Sequence, residues 1–168
     1  EFRRVLFRSA EPLTFYNAAM NAQRIESIQA ALRQEGLDGW LFYSFRGSDP
    51  IAENILGLNN ARLATRRWFY FVPASGEPWK IVHAIESGML DSLPGQKKIY
   101  LPWPEIHSHL SEALKGCPRV AMQYSPMNAI PYISCVDAGT VELIRSFGVD
   151  VVSSADLVQI FEAVWTEE

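Results

Sequence analysis

Short apolar runs alternate with segments of helical period over the second half of the chain, and this alternation constrains the fold most. Residues 99–101, 120–122 and 149–152 are apolar runs of strand length. Between them, in 104–114 and 137–148, apolar residues recur every three or four positions, as on one face of a helix. Strands separated by helices usually pair in parallel through right-handed crossovers. The pattern therefore predicts an α/β fold.

The first half of the chain adds a hairpin. Residues 68–72 and 79–84 are rich in aromatic and β-branched side chains and flank the turn sequence Pro73-Ala74-Ser75-Gly76, which predicts two antiparallel strands. A long helix, a buried strand and a short helix are predicted at residues 15–32, 40–43 and 50–56. The expected architecture is α/β: a mixed, mostly parallel sheet with one antiparallel hairpin and helices on both faces.

Composition excludes several classes of protein. The chain has 168 residues and a formal charge of −4, and without a basic stripe it is not expected to bind nucleic acid. No apolar run approaches the roughly 18 residues of a membrane span, so no membrane partner is expected. Cys117 and Cys135 are the only cysteines and form no C-x-x-C motif, which favours packed thiols in a reducing compartment. We expect a cytoplasmic protein.

Both ends of the sequence are unusual. Residues 1–9 fit neither a signal peptide nor a helix cap, and we interpret them as a non-native cloning or assembly scar. A final helix begins after Ser153-Ser154, and its apolar stripe runs to Trp165 without a Gly, a basic last turn or a Pro to end it. We therefore expect the protein to continue beyond residue 168.

No catalytic, cofactor-binding or metal-binding residue is predicted within the chain. The three histidines lie in two separate segments, and His107 and His109 project from different faces of one helix. Ser87 lacks the flanking glycines of a nucleophile elbow. The glycines are isolated, so the sequence holds no phosphate-binding loop.

Arg62, Arg66 and Arg67 form one local cluster of positive charge before the predicted strand 68–72. Guanidinium groups bind carboxylates through paired hydrogen bonds. Two interpretations stay open: a solvated strand entrance, or a rim that contacts a carboxylate or a neighbouring subunit. Trp103, between two prolines, and Trp165 are candidates for an interface, because Trp is enriched in interfaces.

Several segments, in order and spacing, carry a resemblance to a known family. Arg24-Ile25-Glu26 through Leu32-Arg33, followed by Glu35-Gly36-Leu37-Asp38-Gly39-Trp40-Leu41, is similar to the opening helix, "EGLDA" motif and strand of the creatinase/prolidase/Xaa-Pro aminopeptidase family. Asp49-Pro50 with Ile55-Leu56-Gly57-Leu58 resembles a second motif of that family, although the usual Tyr and Thr before the Gly are missing. Residues 124–152 look most like the Xaa-Pro aminopeptidase branch, and residues 149–158 with 164–166 resemble the end of the family's N-terminal domain.

The resemblance implies that residues 10–168 form the non-catalytic N-terminal domain of an Xaa-Pro aminopeptidase or dipeptidase. It places the catalytic pita-bread domain, with two divalent metal ions (manganese, cobalt or zinc), beyond residue 168. It also implies a homodimer or higher oligomer that shapes the entrance for a peptide substrate. The rims would be the loop 57–67 and the segment 85–90, with Arg62 and Arg66 meeting a substrate carboxylate or the partner chain.

Two alternatives stay open at this point. The chain could be a stand-alone binding or dimerisation module without catalysis. It could instead be the N-terminal half of a creatinase-like amidinohydrolase, which is expected to share the fold.

Overall fold

The computed structural model describes residues 11–58 and 64–162. Five helices and six strands occupy these residues. In chain order they are α1 (Glu11–Gln34), β1 (Gly39–Ser44), α2 (Pro50–Leu56), β2 (Trp68–Pro73), β3 (Trp79–His83), β4 (Gln96–Tyr100), α3 (Pro104–Ala113), β5 (Arg119–Met122), α4 (Ala138–Ser146), β6 (Asp150–Ser153) and α5 (Ala155–Glu162).

The six strands form one mixed sheet in the order β4-β3-β2-β1-β5-β6. β2 pairs antiparallel with both β1 and β3, whereas the pairs β3/β4, β1/β5 and β5/β6 are parallel. β2 is thus the one strand that runs against the other five. The hairpin predicted around residues 73–76 is confirmed, with Phe71 opposite Trp79 and Phe69 opposite Ile81. The α/β fold class with a mixed sheet is confirmed as well.

Helices α1, α2 and α5 cover one face of the sheet. Trp40 and Phe42 of β1 point to this face, are fully buried, and stack with ring centroids 4.4 Å apart. Phe161 of α5 approaches Trp40 with a centroid distance of 6.1 Å. Alternation along β1 sends the intervening side chains to the other face, which places Leu41 in a second core under α3 and α4.

The second core joins α3 and α4 to the opposite face. Ile106 and Leu110 of α3 and Ile144 of α4 are buried there in one cluster with Phe69 of β2. Their spacing of three or four residues along each helix puts the apolar side chains on one stripe. Helices therefore cover both faces of the sheet, as the sequence predicts.

Local capping explains where two of the helices begin. The carboxylate of Asp137 accepts hydrogen bonds from the backbone N–H and the hydroxyl of Thr140, at 2.8 Å each. The carboxylate of Asp49 accepts a hydrogen bond from the Ala52 N–H at 2.9 Å, and Pro50 follows as the first helical residue. Both side chains satisfy amide groups that have no partner within the helix.

Two details differ from the sequence interpretation. β4 begins at Gln96 rather than near Ile99. It is an edge strand in which partly buried and exposed residues alternate, and its first three residues are polar. Ile160, placed on the apolar stripe of α5, is half exposed, whereas Leu157 is buried. Trp165 and residues 1–9 lie outside the described residues. Within the described part of the chain, no helix combines the length and apolar character needed to cross a membrane.

Candidate functional site

The predicted rim residues lie where the parallel strands end. The carboxyl ends of β1, β3 and β4 lie at the same edge of the sheet as the start of β2, since Ser44 pairs with Trp68 and His83 pairs with Tyr100. In open α/β sheets, ligands bind outside this edge. Arg66 and Arg67 directly precede β2 and lie at this edge, whereas Arg62 falls outside the described residues.

Glu86 ties the two predicted rim segments together. One of its carboxylate oxygens accepts hydrogen bonds from the backbone N–H and the hydroxyl of Thr65, at 2.8 and 2.6 Å. The other accepts from the Arg66 N–H at 3.0 Å. Burial opposes ionisation of Glu86, but the hydrogen bonds from Thr65 and Arg66 outweigh it and hold the pKa of this carboxyl below its ordinary value. Thr65 and Arg66, directly before β2, are therefore fixed to the segment that follows β3.

Arg67 sits among aromatic hydroxyl groups. The hydroxyl of Tyr100 donates a hydrogen bond to the Arg67 carbonyl at 2.7 Å. Burial raises the pKa of both Tyr43 and Tyr100, and the positive charge of Arg67 opposes that rise in each case. Both hydroxyls therefore stay protonated near neutral pH and are able to donate hydrogen bonds.

His83 completes the polar edge. Its ring contacts Tyr100 edge-on, with centroids 5.0 Å apart. The Nδ1 atom accepts a hydrogen bond from the Ile85 N–H at 3.0 Å, which assigns the proton of the neutral ring to Nε2. His83 is thus a donor at the edge where Arg67 lies.

Of the three predicted rim arginines, Arg66 and Arg67 lie within the described residues, and the positive charge of Arg66 interacts with the Glu86 carboxylate. Among the described residues, no carboxylate lies within ion-pair distance of the Arg66 or Arg67 guanidinium. Guanidinium groups bind carboxylates bidentately, and Arg66 is exposed while Arg67 is half-buried. The arrangement is suited to receiving an anionic group.

On the opposite face of the same edge, the buried Asp49 carboxyl lies beside the half-buried Cys135 thiol. Burial raises the pKa of Asp49 to about 7, and the neighbouring Glu53 adds to the effect. Burial and the Asp49 carboxyl raise the pKa of the Cys135 thiol to about 12. A thiol held protonated in this way is a poor nucleophile, so Cys135 has a packing role.

Gln123 connects this contact to the core and is the residue that sequence reasoning missed. Its side-chain oxygen accepts a hydrogen bond from the Trp40 indole N–H at 3.0 Å. Its carbonyl accepts hydrogen bonds from the N–H groups of Cys135 and Val136, at 3.1 Å each. Gln123 and Trp40 lie 83 positions apart in the chain, and no local pattern links them.

The remaining histidines lie elsewhere. The His107 ring packs between Trp103 and Phe147, and the His109 ring contacts the Ile99 carbonyl at 3.2 Å. Within residues 11–58 and 64–162, no three His, Cys, Asp or Glu side chains are grouped closely enough to hold a metal ion. The residues described here do not fit a metal centre.

Solved structures show what this fold is similar to. No family model and no curated protein matches the chain by sequence. The creatinase/prolidase N-terminal domain of an X-Pro dipeptidase from Streptococcus pyogenes superposes with a TM-score of 0.58 at 16% identity, over 83% of this chain and 98% of that chain. The chain has the fold of a creatinase/prolidase N-terminal domain. The fold implied by the sequence resemblance is therefore confirmed.

Longer proteins contain the same creatinase/prolidase N-terminal fold. Dipeptidase PepE from Mycobacterium ulcerans matches with a TM-score of 0.60 and 21% identity, over 90% of this chain and 38% of that chain. A dipeptidase from Pyrococcus horikoshii matches with a TM-score of 0.62 and 16% identity, over 86% and 37%. The chain thus spans less than two fifths of the length of these two dipeptidases.

Proposed function

We propose that this chain is the non-catalytic N-terminal domain of a metallopeptidase of the creatinase/prolidase family that cleaves X-Pro peptides, as an Xaa-Pro aminopeptidase or dipeptidase. The observation that carries the proposal is the match to the streptococcal X-Pro dipeptidase domain over nearly that domain's whole length. The partial coverage of PepE supports a second, larger domain in the same polypeptide. That catalytic domain would be the principal partner of this chain.

The chemistry belongs to the second domain in this proposal. Two divalent metal ions, manganese, cobalt or zinc, would be held there and would supply the activated water for peptide hydrolysis. The residues described here do not form a cluster able to bind a metal ion. This domain's own part is to bind and position the substrate and to support a homodimer or higher oligomer. Cys117 and Cys135 are free thiols, which supports a cytoplasmic location.

Arg66 and Arg67 are the residues we assign to the substrate entrance, together with Arg62. The Glu86 carboxylate accepts hydrogen bonds from Thr65 and Arg66, so the backbone that carries Arg66 and Arg67 is held in place. A peptide substrate ends in a carboxylate, and a bidentate contact with guanidinium would select for it. An acidic side chain of a neighbouring subunit is the other group that fits.

A cleavage assay tests the assignment of the catalytic step. The chain of 168 residues is expected to cleave neither X-Pro dipeptides nor longer X-Pro peptides in the presence of Mn²⁺, Co²⁺ or Zn²⁺. The full-length gene product is expected to cleave them, because it carries the two-metal domain. The preference for dipeptides or longer peptides distinguishes a dipeptidase from an aminopeptidase. Hydrolysis by the isolated chain contradicts the proposal.

The same assay separates the other two candidate functions. A gene with a stop codon directly after the codon for Glu168, and a folded product that captures a carboxylate and has no peptidase activity, would establish a stand-alone binding module. A full-length protein that cleaves creatine-like amidines and leaves X-Pro peptides intact would establish an amidinohydrolase.

Replacing Arg66 and Arg67 together by alanine tests the substrate entrance in the full-length enzyme. We expect KM for an X-Pro substrate to rise about tenfold with little change in kcat, because a charge-assisted contact made equally in the ground state and transition state is lost. Arg119→Ala is the matched control. Arg119 is the first residue of β5 and lies at the amino ends of the parallel strands, with its Nε 4.0 Å from Asp150 Oδ2. Its replacement should therefore leave KM unchanged. If KM and kcat of the double variant equal those of the wild type, Arg66 and Arg67 do not bind the substrate and are simply solvated residues before β2.

A further inference from the structure

A group of polar side chains is fully buried on the sheet face that α2 and α5 cover, where the parallel strands end. Ser44, Asp49, Gln123 and Ser154 are each 0% exposed. Among the described residues, one polar atom of each has no hydrogen-bond partner: Ser44 Oγ, Asp49 Oδ2, Gln123 Nε2 and Ser154 Oγ. We call these four atoms the buried polar cluster. Roughly nine in ten buried polar atoms of folded proteins have a partner, so the cluster requires an explanation.

Strand register brings Gln123 and Ser154 together. Met122 pairs with Ser153 at the ends of β5 and β6. The chain continues this pairing by one residue, because the Ser154 N–H donates a hydrogen bond to the Met122 carbonyl at 3.0 Å. Gln123 and Ser154 are therefore neighbours, each the first residue after its strand.

Ser44 and Asp49 approach the same region from β1 and from the start of α2. Ser44 lies four positions after Trp40 on β1, so its side chain is on the face where the Trp40 indole donates to Gln123. The Gln123 carbonyl accepts a hydrogen bond from the Cys135 N–H at 3.1 Å, and the Cys135 thiol lies beside the Asp49 carboxyl. Gln123 is thus the residue that links the four members of the cluster.

The mixture of donors and acceptors in the cluster indicates which ligand it can hold. The Gln123 Oε1 atom accepts the Trp40 indole N–H at 3.0 Å, which leaves Nε2 with two N–H groups to donate. Asp49 Oδ1 accepts the Ala52 N–H at 2.9 Å, which leaves Oδ2 as an acceptor. A metal cation is disfavoured by the Gln123 N–H groups and an anion by the Asp49 carboxyl. Water both donates and accepts, and it satisfies all four atoms.

We infer that the buried polar cluster is a binding site for ordered water, which bridges the Gln123 amide to the Asp49 carboxyl and to the hydroxyls of Ser44 and Ser154. A buried water typically makes about three hydrogen bonds, and folded proteins contain about one buried water per 27 residues. The bridge joins the ends of β1 and β5 to the cap of α2 and to the residue before α5. It would therefore hold the two helices against the sheet at this edge.

Alanine replacement of the two serines tests the inference by the sign of the change in stability. A hydroxyl bound to water loses a hydrogen bond, so Ser44→Ala and Ser154→Ala should each lower the folding equilibrium constant about fivefold in urea denaturation. A dry, unpaired hydroxyl would give the opposite sign, because its removal relieves an unsatisfied buried group. Ser125→Ala is the matched control. Ser125 is 5% exposed and accepts the Ile130 N–H directly at 2.9 Å, so its replacement should lower stability in either case.

A crystal structure of the unaltered chain, at a resolution that places ordered water, gives an independent readout. We expect a water oxygen about 2.7–3.2 Å from Gln123 Nε2 and within the same distance of at least one other atom of the cluster. A dry cluster, direct hydrogen bonds among its four side chains, or unchanged or raised stability in both serine variants overturns the inference. Neither measurement uses peptidase activity, so the inference and the proposed function can fail separately.

Discussion

Asp49→Asn should raise the stability of this domain above neutral pH and remove most of its pH dependence between about pH 4 and about pH 7. Burial raises the pKa of Asp49 from 3.8 to about 7 in the folded state. The folded protein therefore binds this proton more tightly than the unfolded chain does. The stabilisation is fully present below the pKa that Asp49 has in the unfolded chain. It is lost as the pH rises through the pKa of Asp49 in the folded protein.

The size of the effect follows from the gap between the two pKa values. At about 1.4 kcal/mol per pH unit, the ionised carboxylate costs up to roughly 4 kcal/mol of unfolding free energy at about pH 8. Asn keeps the oxygen that accepts the Ala52 N–H and carries no charge. Glu53 and Cys135 face the same carboxyl, and the neutral amide also relieves the repulsion from Glu53. We expect a gain of about 2–4 kcal/mol, measured by urea denaturation at about pH 8.

Asp137→Asn is the control with the opposite sign. Burial opposes ionisation of Asp137, but the hydrogen bonds from Thr140 outweigh it and lower its pKa. The ionised Asp137 carboxylate contributes stability above the pKa that it has in the unfolded chain. This contribution is lost as the pH falls through its pKa in the folded protein. Asp137→Asn should therefore destabilise the protein near neutral pH, and the difference should shrink as the pH falls through the pKa of the folded state. A parallel pH dependence of wild type and Asp49→Asn would show that Asp49 ionises normally.

Helices and hairpins could be predicted because their signals are local. Asp137 carries its own capping partner three residues away, and the turn sequence 73–76 joins two strands that pair directly. The start of β4 could not be predicted in the same way. Gln96, Lys97 and Lys98 look like loop residues, yet an edge strand needs no continuous apolar run because solvent covers one side.

The functional edge could be predicted only in part. Arg66 and Arg67 stand out as a run of charge in the sequence, but the hydrogen bond from Arg66 to Glu86 spans 20 residues and depends on the β2–β3 hairpin. The contact of Asp49 with Cys135 requires the crossover that places β5 beside β1. Spatial strand order is set by packing over the whole chain, and no local pattern records it.

Gly95→Ala should destabilise the protein far more than Gly76→Ala, although both glycines have left-handed backbone angles. Gly76 has φ of +100°, and a Cβ atom added there meets nothing within 4 Å. Gly95 has φ of +116°, and its Cβ would lie 2.4 Å from the Pro78 carbonyl oxygen. Gly76→Ala therefore costs only backbone strain, about 1–2 kcal/mol, whereas Gly95→Ala adds a steric clash and should cost about 3–5 kcal/mol.

The clash at Gly95 is also expected to disturb the start of the edge strand β4. The Pro78 carbonyl accepts the hydrogen bond from the Gln96 N–H at 3.0 Å, which fixes the first residue of β4 against β3. Moving that carbonyl away from an added methyl group breaks this bond and frees the start of the edge strand. Urea denaturation should resolve the difference between the two variants.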